Sequence, residues 1–307
     1  GVGELLASYD DDALQDLMPN LGGHCLETIL EAFQSITDDK PVCFIAYTIK
    51  GHGLPLAGHK DNHAGIMNAE QIERLRQRFN IAEGDEWQPF AGLNIPPDDL
   101  NRFLKAVPFN ALNGGRRKSA APVPIPVKLP LSASGKTSTQ EAFGRILYEL
   151  GNTDGELADR IVTTSPDVTQ STGLSGWVNR RGLFSRDEVA DTFKAHNIAS
   201  MQKWGASDSG QHIELGIAEN NLFLMLGAMG LAHELFGERL LPIGTVYDPF
   251  IERGLDALNY ACYQDSRFML VATPSGLSLA PEGGAHQSIV TPLIGIGQPG
   301  LSSFEPA

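Results

Sequence analysis

From residue 139 onward, short apolar runs alternate with stretches of helical periodicity, and that alternation leaves few folds open. Helix is predicted over residues 139–150, 218–235 and 249–263, and strand over 160–164, 240–244 and 268–273. Strands separated by helices pair in parallel, because each connection must cross back over the sheet, and the helices then cover both faces. The expected fold class is therefore α/β, a doubly wound parallel sheet. Ligands of such sheets bind outside the carboxyl ends of the strands. The informative loops are those after Thr164, Gly244 and Thr273, and they carry Asp167, Tyr247 with Phe250, and His286.

The remaining sequence is organised differently. The chain has 307 residues, enough for one large or two ordinary domains. Residues 107–136 alternate prolines with small and apolar residues and hold the basic cluster Arg116, Arg117 and Lys118. X-Pro steps at Ala121, Val123 and Ile125 disfavour helix there, so this stretch reads as an extended linker between residues 1–106 and 137–307. In the first part, the apolar run 42–47 between Pro41 and Gly51 is expected to be a buried strand. Asn68 with Gln71 has capping-box form, and Ile72, Leu75 and Phe79 recur at helical spacing after it.

Charge and composition exclude several functions. Twenty-three Lys and Arg against 37 Asp and Glu give a net charge of -14, which repels a phosphate backbone, so no nucleic-acid partner is expected. No run of about 18 apolar residues suggests a membrane span. The start, GVGELLASYDDDALQD, lacks the basic and apolar regions of a secretion signal. Cys25, Cys43 and Cys262 are widely spaced and odd in number, which suits core thiols in a reducing cytoplasm and no zinc site.

Several groups carry the chemistry. His52, His59 and His63 lie within one glycine-rich loop, where histidine serves either proton transfer or simple surface polarity. No carboxylate-rich or cysteine ligand set accompanies them, so no metal ligands are assigned. Glu219 opens a helix, where an acid favours the helix dipole. Its neighbours Ile213, Leu215, Ile217 and Leu222 predict an apolar setting in which a carboxyl needs a partner or a raised pKa, which makes it a candidate for proton chemistry. Tyr247 and Phe250 are either core or a stacking platform for a flat heterocycle. His286 follows two glycines in a strand-end loop suited to orienting a substrate. Nothing matches a Walker loop, G-x-S-x-G or H-E-x-x-H.

In order along the chain, NLGGHCLETILEAF, PVCFIAYTIKGHG and NHAGIMNAEQIERLRQRFNI resemble the end of the diphosphate-binding domain of thiamine-diphosphate enzymes of the transketolase group. KTSTQEAFGRIL, IVTTSPDVTQS, IELGIAENNLF, TVYDPFIER and LVATPSGLSLAPEGGAHQS resemble that group's pyrimidine-binding domain. The pattern is most similar to the homodimeric first component of the bacterial pyruvate dehydrogenase complex. The resemblance implies decarboxylation of a 2-oxo acid, pyruvate foremost, on thiamine diphosphate with magnesium, and acyl transfer to the lipoyl group of an acyltransferase partner. It places Glu219 at the aminopyrimidine ring nitrogen, Phe250 stacked on that ring with Tyr247 close by, and Asp167 near the thiazolium ring. His63 and His286 line the substrate channel, and His24 and His52 fall in family motifs. A homodimer is implied, and Gly227, Ala228, Gly230 and Ala232 suit close helix contact at its interface.

Two departures stand out. The family's Gly-Asp-Gly diphosphate and magnesium motif is absent, and the chain stops at SSFEPA, inside the pyrimidine domain by family comparison. Both point to a fragment of the active enzyme. Transketolase-type ketol transfer is the alternative activity. It needs cations for a sugar phosphate, and none stands out in LSLAPEGGAHQS. A non-catalytic, dimerising module is the other alternative, supported by the missing motif.

Overall fold

The computed structural model describes residues 1–18, 20, 22–111, 117–129, 135–187, 189–278 and 282–306. It divides into two compact units, residues 1–113 and 114–307. Among the described residues the second unit holds one sheet of six strands, all paired in parallel. These are β1 (Ile161–Ser165), β2 (Leu183–Phe184), β3 (Ala206–Ser207), β4 (His212–Glu214), β5 (Leu241–Val246) and β6 (Met269–Ala272), in the spatial order β3-β2-β4-β1-β5-β6. The expected doubly wound α/β sheet is what the chain forms. The short strands β2, β3 and β4 were not expected, because two or three residues carry no readable period.

Alternation along the strands distributes the core. Ile161, Ile243 and Val271 face helices Thr139–Gly151 and Ser175–Arg181, where Leu147, Leu150, Trp177 and Val178 are buried. Val246, Leu270 and Ala272 face helices Glu219–Gly230 and Leu255–Tyr263 on the opposite side, where Leu222, Phe223, Leu226 and Leu258 are buried. Helix 139–151 starts where predicted, because Ser138 and Glu141 close a capping box around its first turn. The helix expected over 218–235 instead ends at Gly230, and Ala232–Leu235 forms a separate turn. At Gly230 the backbone of Arg267 approaches so closely that an added Cβ would lie 2.7 Å from its nitrogen. Arg267 N also donates to the Gly230 carbonyl, diverting it from helix propagation. The helix expected over 249–263 begins as a 3-10 turn, Asp248–Gly254, before the α-helix Leu255–Tyr263.

In the first unit the helix after Asn68 forms as Ala69–Arg78 with its capping box closed. The expected buried strand at 42–47 does not form. Those residues make no strand and are exposed, Ile45 to 83%. A strand exists only when its backbone is paired, and among the described residues of this unit no strand offers a partner. Phe44 packs edge-on to Phe33 instead. Within the stretch expected as a linker, Pro108–Ala111 makes one helical turn, whereas 117–129 contains neither helix nor strand. Arg116 and Pro130 lie outside the described residues. Among the described residues no helix is long and apolar enough to cross a membrane.

A buried polar cluster shapes the carboxyl edge of β1 and β4. Glu214 accepts from Thr169 Oγ1 at 2.6 Å and from Asp167 N at 2.8 Å. Thr169 has one proton, and it goes to the carboxylate. Its contacts with Ser165 Oγ (2.5 Å) and His212 Nε2 (2.9 Å) are therefore ones in which it accepts, so Nε2 of the fully buried His212 carries hydrogen. This pins Asp167 in the left-handed region, at φ 63°. Burial alone would raise the Glu214 carboxyl. The hydrogen bonding of His212, Thr169 and the Asp167 amide outweighs it and holds the pKa at about 2, below its ordinary 4.5.

Two outcomes follow from this packing. Because the folded pKa of Glu214 is depressed, its stabilisation is present above about pH 4.5 and lost as pH falls toward about 2. Urea unfolding of Glu214→Gln should show a loss of about 1 to 3 kcal/mol at neutral pH and a flatter acid limb than wild type. Leu226→Ala, which empties a fully buried site, should cost about 2 to 5 kcal/mol in the same measurement.

Candidate functional site

Parallel pairing sends the loops after β4, β1, β5 and β6 off one edge of the sheet, and those loops carry Glu219, Asp167, Tyr247 with Phe250, and His286. Glu219 is the first residue of helix Glu219–Gly230 and is 8% exposed. The partner that its apolar setting demands is Arg253, whose Nη1 donates to Oε1 at 2.5 Å. The guanidinium carbon of Arg253 also lies 3.9 Å above the Phe250 ring. Phe250 and Arg253 are three residues apart in a 3-10 turn, where such residues eclipse one another. Gly254 lets that turn close onto the helix, since a Cβ there would fall 1.9 Å from the Phe223 ring.

Three rings meet beside this pair. The His286 ring stands edge-on to Phe250 (5.3 Å between centroids) and to Tyr247 (5.7 Å), and Tyr247 and Phe250 are 6.1 Å apart. Asp248, 2% exposed, joins the two loops involved: its Oδ2 accepts from Gly276 N at 2.9 Å, and its carbonyl accepts from Thr291 Oγ1. His286 Nε2 lies 3.6 Å from Glu282 Oε2. Its Nδ1 is buried and has no hydrogen-bond partner among the described residues, which leaves a nitrogen for a ligand to engage. Arrayed together, these groups offer a carboxylate, an aromatic face and an imidazole nitrogen along one edge.

The histidines of the first unit form their own arrangement. His63 ends the 3-10 turn Lys60–His63, with Nδ1 2.8 Å from Lys50 Nζ. An ammonium only donates, so Nδ1 accepts and the neutral ring carries its hydrogen on Nε2. His24 and His52 stack at 3.9 Å between centroids, and His24 Nε2 accepts from Ile49 N at 2.7 Å. His59 caps the turn that follows it by accepting from Asp61 N. Among the described residues no three His, Cys, Asp or Glu side chains gather as metal ligands.

Sequence reasoning missed Arg253, Asp248, Glu214 and His212. Arg253 was legible in principle, as a cation one 3-10 turn past an aromatic candidate. The Glu214 cluster was not, because it joins residues 43 to 49 positions apart across a strand pair that the sequence does not announce.

No family model matches the chain. Among curated proteins it is 27% identical over 322 residues to the pyruvate dehydrogenase E1 component of Cupriavidus necator, covering 98% of this chain and 35% of that protein. The E1 component of Pseudomonas aeruginosa is 26% identical, over 99% of this chain and 36% of its own length. The chain thus spans about a third of the length of the curated relatives it matches. Among solved structures, transketolase from Campylobacter jejuni superposes with a TM-score of 0.56 at 16% identity, over 89% of this chain and 39% of that one. The chain is thus similar in sequence to the E1 components and shares its fold with transketolase.

Proposed function

We propose that this chain supplies the pyrimidine-binding side of a thiamine-diphosphate site in an enzyme that decarboxylates a 2-oxo acid, pyruvate foremost. The observation that carries the reading is a buried carboxylate, Glu219, beside an aromatic face, Phe250, at the carboxyl edge of a parallel sheet. A flat heterocycle with a basic ring nitrogen needs both: a face to stack on and an acid that shares its proton. The residues present fit the pyrimidine end of the cofactor on these grounds. When bound, thiamine diphosphate would supply a nucleophilic ring carbon for the 2-oxo carbonyl and an electron sink for the pair left as carbon dioxide departs.

The chain's own residues then have distinct tasks. Glu219 holds a proton between its carboxyl and the ring nitrogen, and Phe250 and Tyr247 fix the plane of the ring. His286, with Nδ1 unengaged, binds the substrate carboxylate or moves a proton at that edge. Asp167 is presented from the adjoining loop by the Glu214 clamp. His63 is assigned to the substrate channel with its proton on Nε2. Residues 1–106 are read as the end of a diphosphate-binding domain, 107–136 as the linker and 137–307 as the pyrimidine-binding domain.

Kinship with the E1 components supports this reaction class. Because the chain spans about a third of their length, we assign the diphosphate and magnesium ligands to segments beyond the matched third, on the same polypeptide or another. The homodimer, the transfer of the acyl unit to a lipoyl-bearing acyltransferase and the cytoplasmic setting belong to that complete enzyme.

The two ends of the cofactor separate experimentally. One hydrogen bond and one stacked ring are each worth about 1 to 3 kcal/mol at best, so this chain alone should bind thiamine diphosphate with a Kd of about 1 mM or weaker. Micromolar, magnesium-dependent binding by calorimetry would place the diphosphate site within these residues and overturn the division. In the full-length protein Glu219→Ala should lower turnover at least about 100-fold. Undiminished turnover would remove Glu219 from the chemistry.

A further inference from the structure

We infer that Arg253 is a built-in competitor for the seat between Glu219 and Phe250, which a ring ligand must displace before it can bind. The inference rests on reading that seat as the place of an aminopyrimidine ring. The guanidinium makes both contacts such a ring would make: it donates to Glu219 Oε1 at 2.5 Å and lies 3.9 Å over the Phe250 face. It is suited to the imitation, being flat, rich in N–H donors and prone to stack on aromatic rings. A lysine ammonium lacks that flat shape.

The surroundings make the displacement feasible. Glu219 keeps only 10% of its side-chain surface exposed, so without a partner it would be a buried, unpaired carboxyl. Arg253 is 52% exposed and makes no other ion pair or hydrogen bond among the described residues, so it can swing into water without breaking further structure. A ligand that both stacks on Phe250 and bonds Glu219 leaves neither group unsatisfied when Arg253 departs. One that only stacks strands the carboxyl, and one that only carries charge strands the aromatic face. Occupation by Arg253 therefore lowers the apparent affinity of any ring by the fraction of molecules in which the seat is open. An ion pair with one half-exposed partner and one cation–π contact set that factor at about 5- to 20-fold.

The probe is 4-amino-2,5-dimethylpyrimidine, titrated by NMR into this chain and its variants. Arg253→Ala should tighten its binding about 5- to 20-fold, and Arg253→Gln, which leaves Glu219 a neutral donor, should tighten it in the same direction. In Arg253→Ala, guanidinium chloride at sub-denaturing concentration should compete with the ring, while sodium chloride at equal ionic strength should not. Unchanged or weaker binding in both Arg253 variants would overturn the inference, because Arg253 would then be an ally of the ring. If Glu219→Ala and Phe250→Ala weaken binding in that same case, the reading of the seat stands and only the competitor falls. If those two variants leave binding unchanged, the seat is not where the ring goes and both fall together.

Discussion

Parallel hydrogen bonding of β1 with both β4 and β5 is the constraint on which the rest of the molecule depends. It sets Ser165 beside Glu214 and Thr164 beside Gly244, so the chain leaves all three strands along the same edge. Each connection must then return across a face, which forces helices onto both sides and splits the core in two. The placement follows from the geometry: groups separated by up to about 120 residues, from Asp167 to His286, reach one edge because among the described residues no strand of the sheet runs the other way.

Packing then decides how closely the groups on that edge approach. Gly254 and Phe223 occupy space that one extra methyl group would contest, and their closeness brings the 3-10 turn carrying Phe250 and Arg253 onto the helix opened by Glu219. Asp248 performs a similar service between the loops after β5 and β6, by giving its buried carboxylate to the Gly276 amide. Neither contact touches the candidate ligand position. Both determine whether a carboxylate, a ring and an imidazole stand within reach of one molecule.

Much of this was legible where local signals agree with the fold. Helix Thr139–Gly151 has its capping box at Ser138 and Glu141 and a continuous apolar stripe, β5 is a compact, largely apolar run, and β1 opens on the β-branched run Ile161 to Thr164. Glu219, Phe250 and His286 were expected after strand ends, and the structure sets them along that one edge. Elements that exist only through their neighbours were not readable. β4 is three residues long and is specified by pairing with β1, and the break at Gly230 comes from an approaching backbone. Residues 42–47 failed for the converse reason: the run has strand composition, but composition cannot supply a partner.

The two acids of this edge show how one fold separates structure from chemistry. Glu214 is surrounded by donors that cannot leave: the Asp167, Leu215 and Gly216 amides and the Thr169 hydroxyl, itself fixed by Ser165 and His212. Its Oε1 accepts from three backbone amides and its Oε2 from the Thr169 hydroxyl, so its charge serves to hold the Asp167 turn. Glu219 is buried at its helix start, yet its bond runs to a single long side chain with half its surface in water. A carboxylate held by many fixed amides has no reason to exchange them. One held by a single, half-exposed guanidinium can change its partner without breaking other bonds, and that difference in partners, more than burial, separates Glu219 from Glu214.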